Sequence, residues 1–152
     1  MGIICIMLVC LSPFTVETDV QVTRPQVVDL DAALVGTPLE GLGPVFIEVG
    51  ERWGVHPAVL AGIVVHESAF GTSPLAQRKN NLAGLRAYDR DPYNSAATFG
   101  SFEECIEALG KHLALKYLDV EGPYYNGVTL QGIGVRYATD PKWASKVAAH
   151  VQ

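Results

Sequence analysis

Glu67 is the acidic residue whose position most clearly suggests chemistry. It follows Val64 by three residues and Ile63 by four, so on a helix its carboxyl projects from the face that these aliphatic side chains occupy. We expect this position to be partly desolvated. A desolvated carboxylic acid can stay protonated near neutral pH, as a general acid for a glycosidic oxygen must. In the alternative arrangement, Glu67 turns to solvent at a helix end or pairs with His66 or Arg86.

The helix that carries Glu67 belongs to a series of predicted helices. Apolar residues recur at helical spacing in several segments, and prolines, glycines and capping residues mark where these segments begin and end. The predicted helices cover about 44–54, 56–71, 74–79, 101–117, 129–137 and 142–151. In the second of them the apolar residues are expected to form one stripe.

Residues 80–100 form the one segment where β structure is predicted. Apolar residues flank a polar turn, Asp89-Arg90-Asp91-Pro92, which is typical of a hairpin. The predicted fold class is therefore mainly α (α+β), a helical domain with a small β-hairpin lobe.

The N-terminal part of the chain differs in composition from the rest. Residues 1–16 contain the apolar run MGIICIMLVCLSPF, which has the length of a signal-peptide core and is too short to span a bilayer. No Lys or Arg precedes the run and no clear cleavage site follows, so a buried strand or helix start is the alternative. We expect a leader at 1–16, a linker at 17–43 and a single folded domain at 44–152. The protein is then exported to the cell envelope or the extracellular space, and only the leader would contact a membrane.

Charge and cysteine content exclude several classes of protein. The net charge of −5 comes without a basic stripe, which argues against nucleic-acid binding. No CxxC or HExxH spacing occurs, so we expect no metal site and no cofactor. Cys5 and Cys10 lie in the expected leader, and Cys105 is predicted to be a small core residue.

Three motifs in a fixed order carry a resemblance to a known family. They are HESAFGTS at 66–73 with NNLAGL at 80–85, FEE at 102–104, and IGVRYATDPKWASKV at 133–147. Together they resemble glycoside hydrolase family 73, the N-acetylglucosaminidases, from about Pro44 to the end of the chain.

The resemblance implies a lysozyme-like helical domain that acts on the glycan strands of bacterial peptidoglycan. Glu67 matches the catalytic acid of the family, and Tyr137 matches a tyrosine of its active-site cleft. Asn81 falls in the motif that shapes the cleft beside the acid, so it is a predicted substrate-binding residue. Tyr137 and Asn81 could each instead be structural hydrogen-bonding residues.

A second catalytic carboxylate is harder to assign. Glycosidases generally use two carboxyl groups, and some members of the family carry the second in the hairpin, where this chain has Asp89 and Asp91. Forming the turn is the alternative role for either aspartate. The acetamido group of the substrate could also assist in place of an enzyme nucleophile.

Aromatic residues are candidates for stacking on sugar rings. The candidates are Trp53, Phe70, Tyr88, Tyr93, Tyr124, Tyr125 and Trp143. Trp53 continues the apolar stripe of the first helix and is predicted to lie in the core. Phe70, Tyr88 and Tyr93 are the predicted substrate-binding aromatics, the two tyrosines because they flank the hairpin turn.

The predicted function is hydrolysis of peptidoglycan at N-acetylglucosaminyl bonds. A lytic transglycosylase or muramidase on the same fold is one alternative, although the segment NNLAGL stands where such an enzyme would carry a Gly-Leu-Met-Gln type segment. A glycan-binding module without turnover is another, which the uncertain second carboxylate favours. A serine hydrolase using Ser68 or Ser101 lacks the nucleophile-elbow pattern.

Overall fold

The computed structural model describes residues 29–87 and 90–150 of the 152-residue chain. The predicted leader, the first part of the predicted linker, Tyr88 and Asp89 lie outside these ranges. The helices of the described residues are α1 (Leu30–Leu34), α2 (Gly43–Trp53), α3 (Pro57–Ser68), α4 (Pro74–Lys79), α5 (Pro92–Ser95), α6 (Phe102–Leu113) with the π-helical turn Ala114–Leu118 after it, α7 (Leu130–Tyr137) and α8 (Trp143–Ala149). None of the helices in these ranges is long and apolar enough to cross a membrane.

Helix α3 is the centre of the fold. It packs against α2, α6 and α8, and every residue from Pro57 to Val65 is buried. The prediction of a single apolar stripe is wrong, because this helix is apolar on all sides, as expected of a helix enclosed by others. Beyond Ser68 the chain turns away through Ala69 and Phe70, which both adopt positive φ.

The mainly helical fold class is confirmed, whereas the β-hairpin lobe is not found. The described part of 80–100 contains no β-strand. Asp91 and Pro92 begin α5, since the Asp91 side chain accepts a hydrogen bond from the Asn94 N–H at 3.2 Å. Asp-Pro is thus a helix start, with an N-cap and a proline in the first turn.

Backbone groups of this segment also bind side chains instead of a partner strand. Lys79 Nζ donates to the carbonyls of Tyr93 and Ala96 at 2.6 and 3.1 Å. Among the residues of this segment that the structure describes, a single backbone bond, from Ala97 N to Leu85 O at 2.9 Å, crosses between its two halves. Two carbonyls that a hairpin ladder could use are therefore satisfied by Lys79 of α4.

Residues 29–43, which the sequence assigns to a linker, are packed on the core. Their four leucines, Leu30, Leu34, Leu39 and Leu42, are all buried. Asp31 Oδ1 accepts a hydrogen bond from Gly43 N at 2.8 Å and so joins α1 to the first residue of α2. This part of the chain therefore belongs to the folded unit.

Gly110 lets α2 and α6 approach each other closely, and its replacement gives a stability prediction. A Cβ at this position would lie 2.5 Å from Val49 Cγ1 and 3.1 Å from Trp53 Cδ1. We expect Gly110→Ala to lower the free energy of unfolding by about 1–3 kcal/mol, since added atoms in a packed interface force neighbours to move. Urea unfolding measures this change.

The control for that experiment compares the double variant, Gly110→Ala with Val49→Ala, with the two single variants. Val49→Ala removes the methyl group closest to the added one, so the double variant should lose less stability than the sum of the single variants. Additive losses would contradict steric contact as the cause.

Candidate active site

An open cleft of about 660 Å³ lies beside the C-terminal end of α3. Its walls come from the loop residues 83–87 and 97–99. The remaining lining residues are Glu67 of α3, Ala108 and His112 of α6, Tyr117 of the π-helical turn and Tyr137 of α7. Residues far apart in sequence therefore meet at one surface.

Glu67 stands in the last turn of α3, with its carboxyl at this cleft. Its Oε1 accepts a hydrogen bond from the indole Nε1 of Trp143 at 2.7 Å. No ion pair joins it to His66 or Arg86 among the residues that the structure describes. The continuous buried run of α3 stops at Val65 and Glu67 is exposed, so the desolvation of its carboxyl is limited to the side that contacts Trp143.

Tyr137 lines the same cleft as Glu67. Its hydroxyl donates to the carbonyl of Ala83 at 3.2 Å, and its ring stacks on Trp143 with 5.0 Å between ring centroids. Burial, and then the negative charge of Glu67, raise the pKa of Tyr137 well above its usual value. The hydroxyl therefore stays protonated and can act as a donor.

Asn81 lies behind the cleft wall and is only 1% exposed. Its Nδ2 donates to the carbonyls of Leu85 and Ala97, each at 2.9 Å. Its Oδ1 accepts from the backbone N–H of Leu85 at 3.0 Å and of Ala83 at 3.4 Å. Both donors and both acceptor positions of the amide are thus occupied by backbone, so the geometry favours a structural role in shaping the wall.

The other predicted site residues within the described ranges are not among those lining the cleft. Phe70 is exposed and packs edge-on against His150. Tyr93 lies beneath Lys79, whose Nζ is 4.9 Å from the ring centroid. Asp91 caps α5, and hydrogen bonds from Asn94 lower the pKa of its carboxyl. Glu67 and Tyr137 are thus the predicted residues that the structure brings together at the cleft.

Two residues at the cleft were missed in the sequence. His112 and Tyr117 pack edge to face with 5.6 Å between ring centroids, and Tyr117 lies 5.7 Å from Tyr137. Burial and the nearby charge of Lys116 lower the pKa of His112, which favours the neutral imidazole. Burial raises the pKa of Tyr117 to about 12.

A sequence signal for His112 exists. It follows the buried Leu109 by three residues, so it is a polar residue on the apolar face of its helix, the pattern that singles out Glu67. Tyr117 had no such signal, because an aromatic residue at helical spacing from other apolar residues is predicted to lie in the core. Tyr117 lies in the π-helical turn Ala114–Leu118 and lines the cleft, and such turns are frequent at functional sites.

Cys105 connects α6 to the loop that carries the cleft wall. It is fully buried, as predicted, and its Sγ accepts a hydrogen bond from Leu82 N at 3.2 Å. Burial raises the pKa of the thiol, so the group is neutral and structural. Within the ranges that the structure describes, no cluster of three or more His, Cys, Asp or Glu residues could hold a metal ion.

The fold and the site define a class of protein: small helical domains that hold a glutamate at the end of a buried helix, facing an open cleft. The chain belongs to the Glucosaminidase family, described as mannosyl-glycoprotein endo-beta-N-acetylglucosaminidase, whose profile matches residues 43–152. The family 73 resemblance seen in the motifs is thereby confirmed.

Similar sequences come from Streptococcus pneumoniae. Two proteins, of strains TIGR4 and R6, are each 36% identical to this chain over 111 residues, and their names provisionally call them endo-beta-N-acetylglucosaminidases. The matches cover 73% of this chain but only 17% and 16% of those proteins. The chain therefore spans about a sixth of the length of the curated relatives it matches.

Solved structures confirm the fold. S. aureus autolysin E matches with a TM-score of 0.67 and 21% identity over 89% of this chain and 68% of its own. A catalytic mutant of that autolysin, solved in complex with the disaccharide NAG-NAM, also gives 0.67 at 21% identity, covering 89% and 70%. The catalytic domain of the autolysin Auto from Listeria monocytogenes gives 0.58 at 18% identity, covering 85% and 86%.

Proposed function

We propose that this chain hydrolyses the glycan strands of peptidoglycan at N-acetylglucosaminyl bonds, with Glu67 as the general acid. The observation that carries the proposal is the position of the Glu67 carboxyl, at the end of a buried helix and on the wall of an open cleft. Membership of the Glucosaminidase family supports the reaction class. The proposed substrate also places the protein outside the cytoplasm, in the cell envelope or beyond it.

In this mechanism the Glu67 carboxyl donates its proton to the glycosidic oxygen as the bond to the sugar breaks. An incoming sugar would displace water from the cleft, and desolvation of this kind favours the protonated form of a carboxyl. The Tyr137 hydroxyl directs its proton to the Ala83 carbonyl, so at the same cleft its oxygen would accept a hydrogen bond from a donor group of the substrate.

The structure reduces the number of candidates for the second catalytic group, the one that would assist Glu67. Glu67 is the only carboxylate among the described residues that line the cleft. Asp91 is occupied as the cap of α5. The acetamido group of the substrate and Asp89, which lies outside the described residues, remain the proposed sources of assistance.

Analysis of the products tests the proposed bond specificity. Purified peptidoglycan is incubated with the protein, the new ends are reduced with borohydride, and the terminal sugars are identified by mass spectrometry. We expect reduced N-acetylglucosamine ends. Reduced or anhydro N-acetylmuramic ends would show a muramidase or a lytic transglycosylase, and wall binding without products would show a glycan-binding module.

A further inference from the structure

The hydrogen bond to Glu67 comes from a side chain that has little freedom to move. Trp143 is 2% exposed and is the first residue of α8. One face of its indole stacks on Tyr137 at an interplanar angle of 29°. A Cβ added at Gly134 would lie 3.1 Å from its Cε3, so α7 holds the ring closely. The Nε1–H is thus fixed in its direction before any substrate binds.

An indole restricts where a neighbouring carboxyl can carry its proton. Trp Nε1–H is a donor only, and of the two oxygens of a protonated carboxyl the carbonyl oxygen is the better acceptor, so the oxygen that receives this bond is the one without the proton. With Nε1 at 2.7 Å from Oε1, the acidic proton of Glu67 belongs on Oε2. A carboxyl with one oxygen held in this way can also rotate less.

The same bond favours the transfer of the proton. Negative charge develops on Glu67 as the proton leaves for the glycosidic oxygen, and hydrogen bonds to charged acceptors are about twice as strong as those to neutral ones. A donor already in place therefore stabilises the transition state more than the ground state.

We infer that Trp143 is a positioning residue: its indole N–H holds Oε1 of Glu67 and leaves Oε2 to deliver the proton. This inference rests on the proposed role of Glu67 as general acid. The chain contains a matched reference, because Trp53 Nε1 donates to Glu107 Oε1 at 2.9 Å, and neither of these residues lines the cleft.

The contact can be tested by NMR without any assay of activity. The chain contains two tryptophans, so a ¹⁵N–¹H spectrum shows two indole signals, which Trp53→Phe assigns by removing one. Glu67→Gln should move the Trp143 signal to lower proton frequency, because a neutral amide is a weaker acceptor. Glu107→Gln should move the Trp53 signal instead. A Trp143 signal that stays in place in Glu67→Gln would overturn the inference.

Kinetics on peptidoglycan test the consequence for the reaction. Trp143→Phe keeps an aromatic ring next to Tyr137 and removes the N–H, so we expect kcat to fall about 10- to 100-fold with KM changed less than about twofold. Trp53→Phe should leave both constants within about twofold. If the role of Trp143 were purely structural, Trp143→Phe would instead lower the folded fraction or raise KM. Either result would contradict the inference if kcat per folded molecule stayed unchanged.

These outcomes separate the inference from the proposed function. If wild type is active, Glu67→Gln is inactive and Trp143→Phe retains full kcat, the proposed function stands and the positioning role is wrong. If wild type releases no products, the proposed function is wrong, while the NMR experiment still decides whether Trp143 holds Glu67. If Trp143→Phe does not fold, the Glu67→Gln spectrum decides alone.

Discussion

Replacement of Glu67 by Gln is expected to lower the rate of glycan release from peptidoglycan by about 10²- to 10⁴-fold. Gln has nearly the same size as Glu, but its amide cannot donate a proton to a glycosidic oxygen. Glu67 is exposed and the amide oxygen of Gln can still accept from Trp143 Nε1, so the change should lower the free energy of unfolding by no more than about 1 kcal/mol, the loss from a weaker acceptor. The measurement is the rate of release of soluble sugar at equal concentrations of folded protein.

Glu107→Gln is the matched control for this experiment. Glu107 also accepts an indole hydrogen bond, lies on α6 and does not line the cleft, so its replacement should leave the rate within about twofold. Binding of Glu67→Gln to cell walls in a sedimentation assay should resemble that of wild type. If Glu67→Gln released soluble sugar at the wild-type rate, Glu67 would not be the general acid.

Replacement of Asn81 by Asp is expected to have the second largest effect, this time on both stability and activity. The change keeps the shape of the side chain but sets an acceptor oxygen against the carbonyls of Leu85 and Ala97, which now receive hydrogen bonds from Nδ2. Losing both bonds at a buried site and introducing a carboxyl there should cost about 3 kcal/mol. Urea unfolding measures the loss.

Activity should fall in Asn81→Asp even where the protein is folded. The bonds from Asn81 hold together the two loop segments that form the cleft wall, so loosening them displaces that wall. Asn126→Asp, the same chemical change in an exposed loop, should leave the unfolding free energy within about 0.5 kcal/mol. Equal stability of Asn81→Asp and wild type would show that the four hydrogen bonds do not hold the wall.

Much of the helical framework could be predicted from local sequence. The predicted helix at 74–79 coincides with α4, because a serine cap, a following proline and an Asn at the C-terminal end are all local signals. The predicted helix at 129–137 likewise matches α7, which Thr129 caps through its side chain. The caps and spacing that define these helices involve residues within a few positions of one another.

The segment 80–100 shows where local signals point to the wrong structure. Its Asp-Pro turn fits a hairpin or a helix start equally well in sequence. In the structure, the side chains of Lys79 and Asn81 donate to the carbonyls of Tyr93 and Ala97, which could otherwise have paired with a second strand. Whether a carbonyl binds a side chain or a partner strand depends on tertiary structure, because the rest of the fold decides which donors lie near the loop.

The sequence by itself determined the family, the helices other than α1 and α5, and the residue proposed as the acid, because motif order and helical period are properties of the chain alone. The tertiary structure decided what surrounds that acid. It placed Trp143 rather than His66 or Arg86 against Glu67, brought His112 and Tyr117 to the cleft, and left Glu67 exposed as a residue. Trp143 lies 76 positions from Glu67, and only the packing of α8 against α3 brings the two within hydrogen-bond distance.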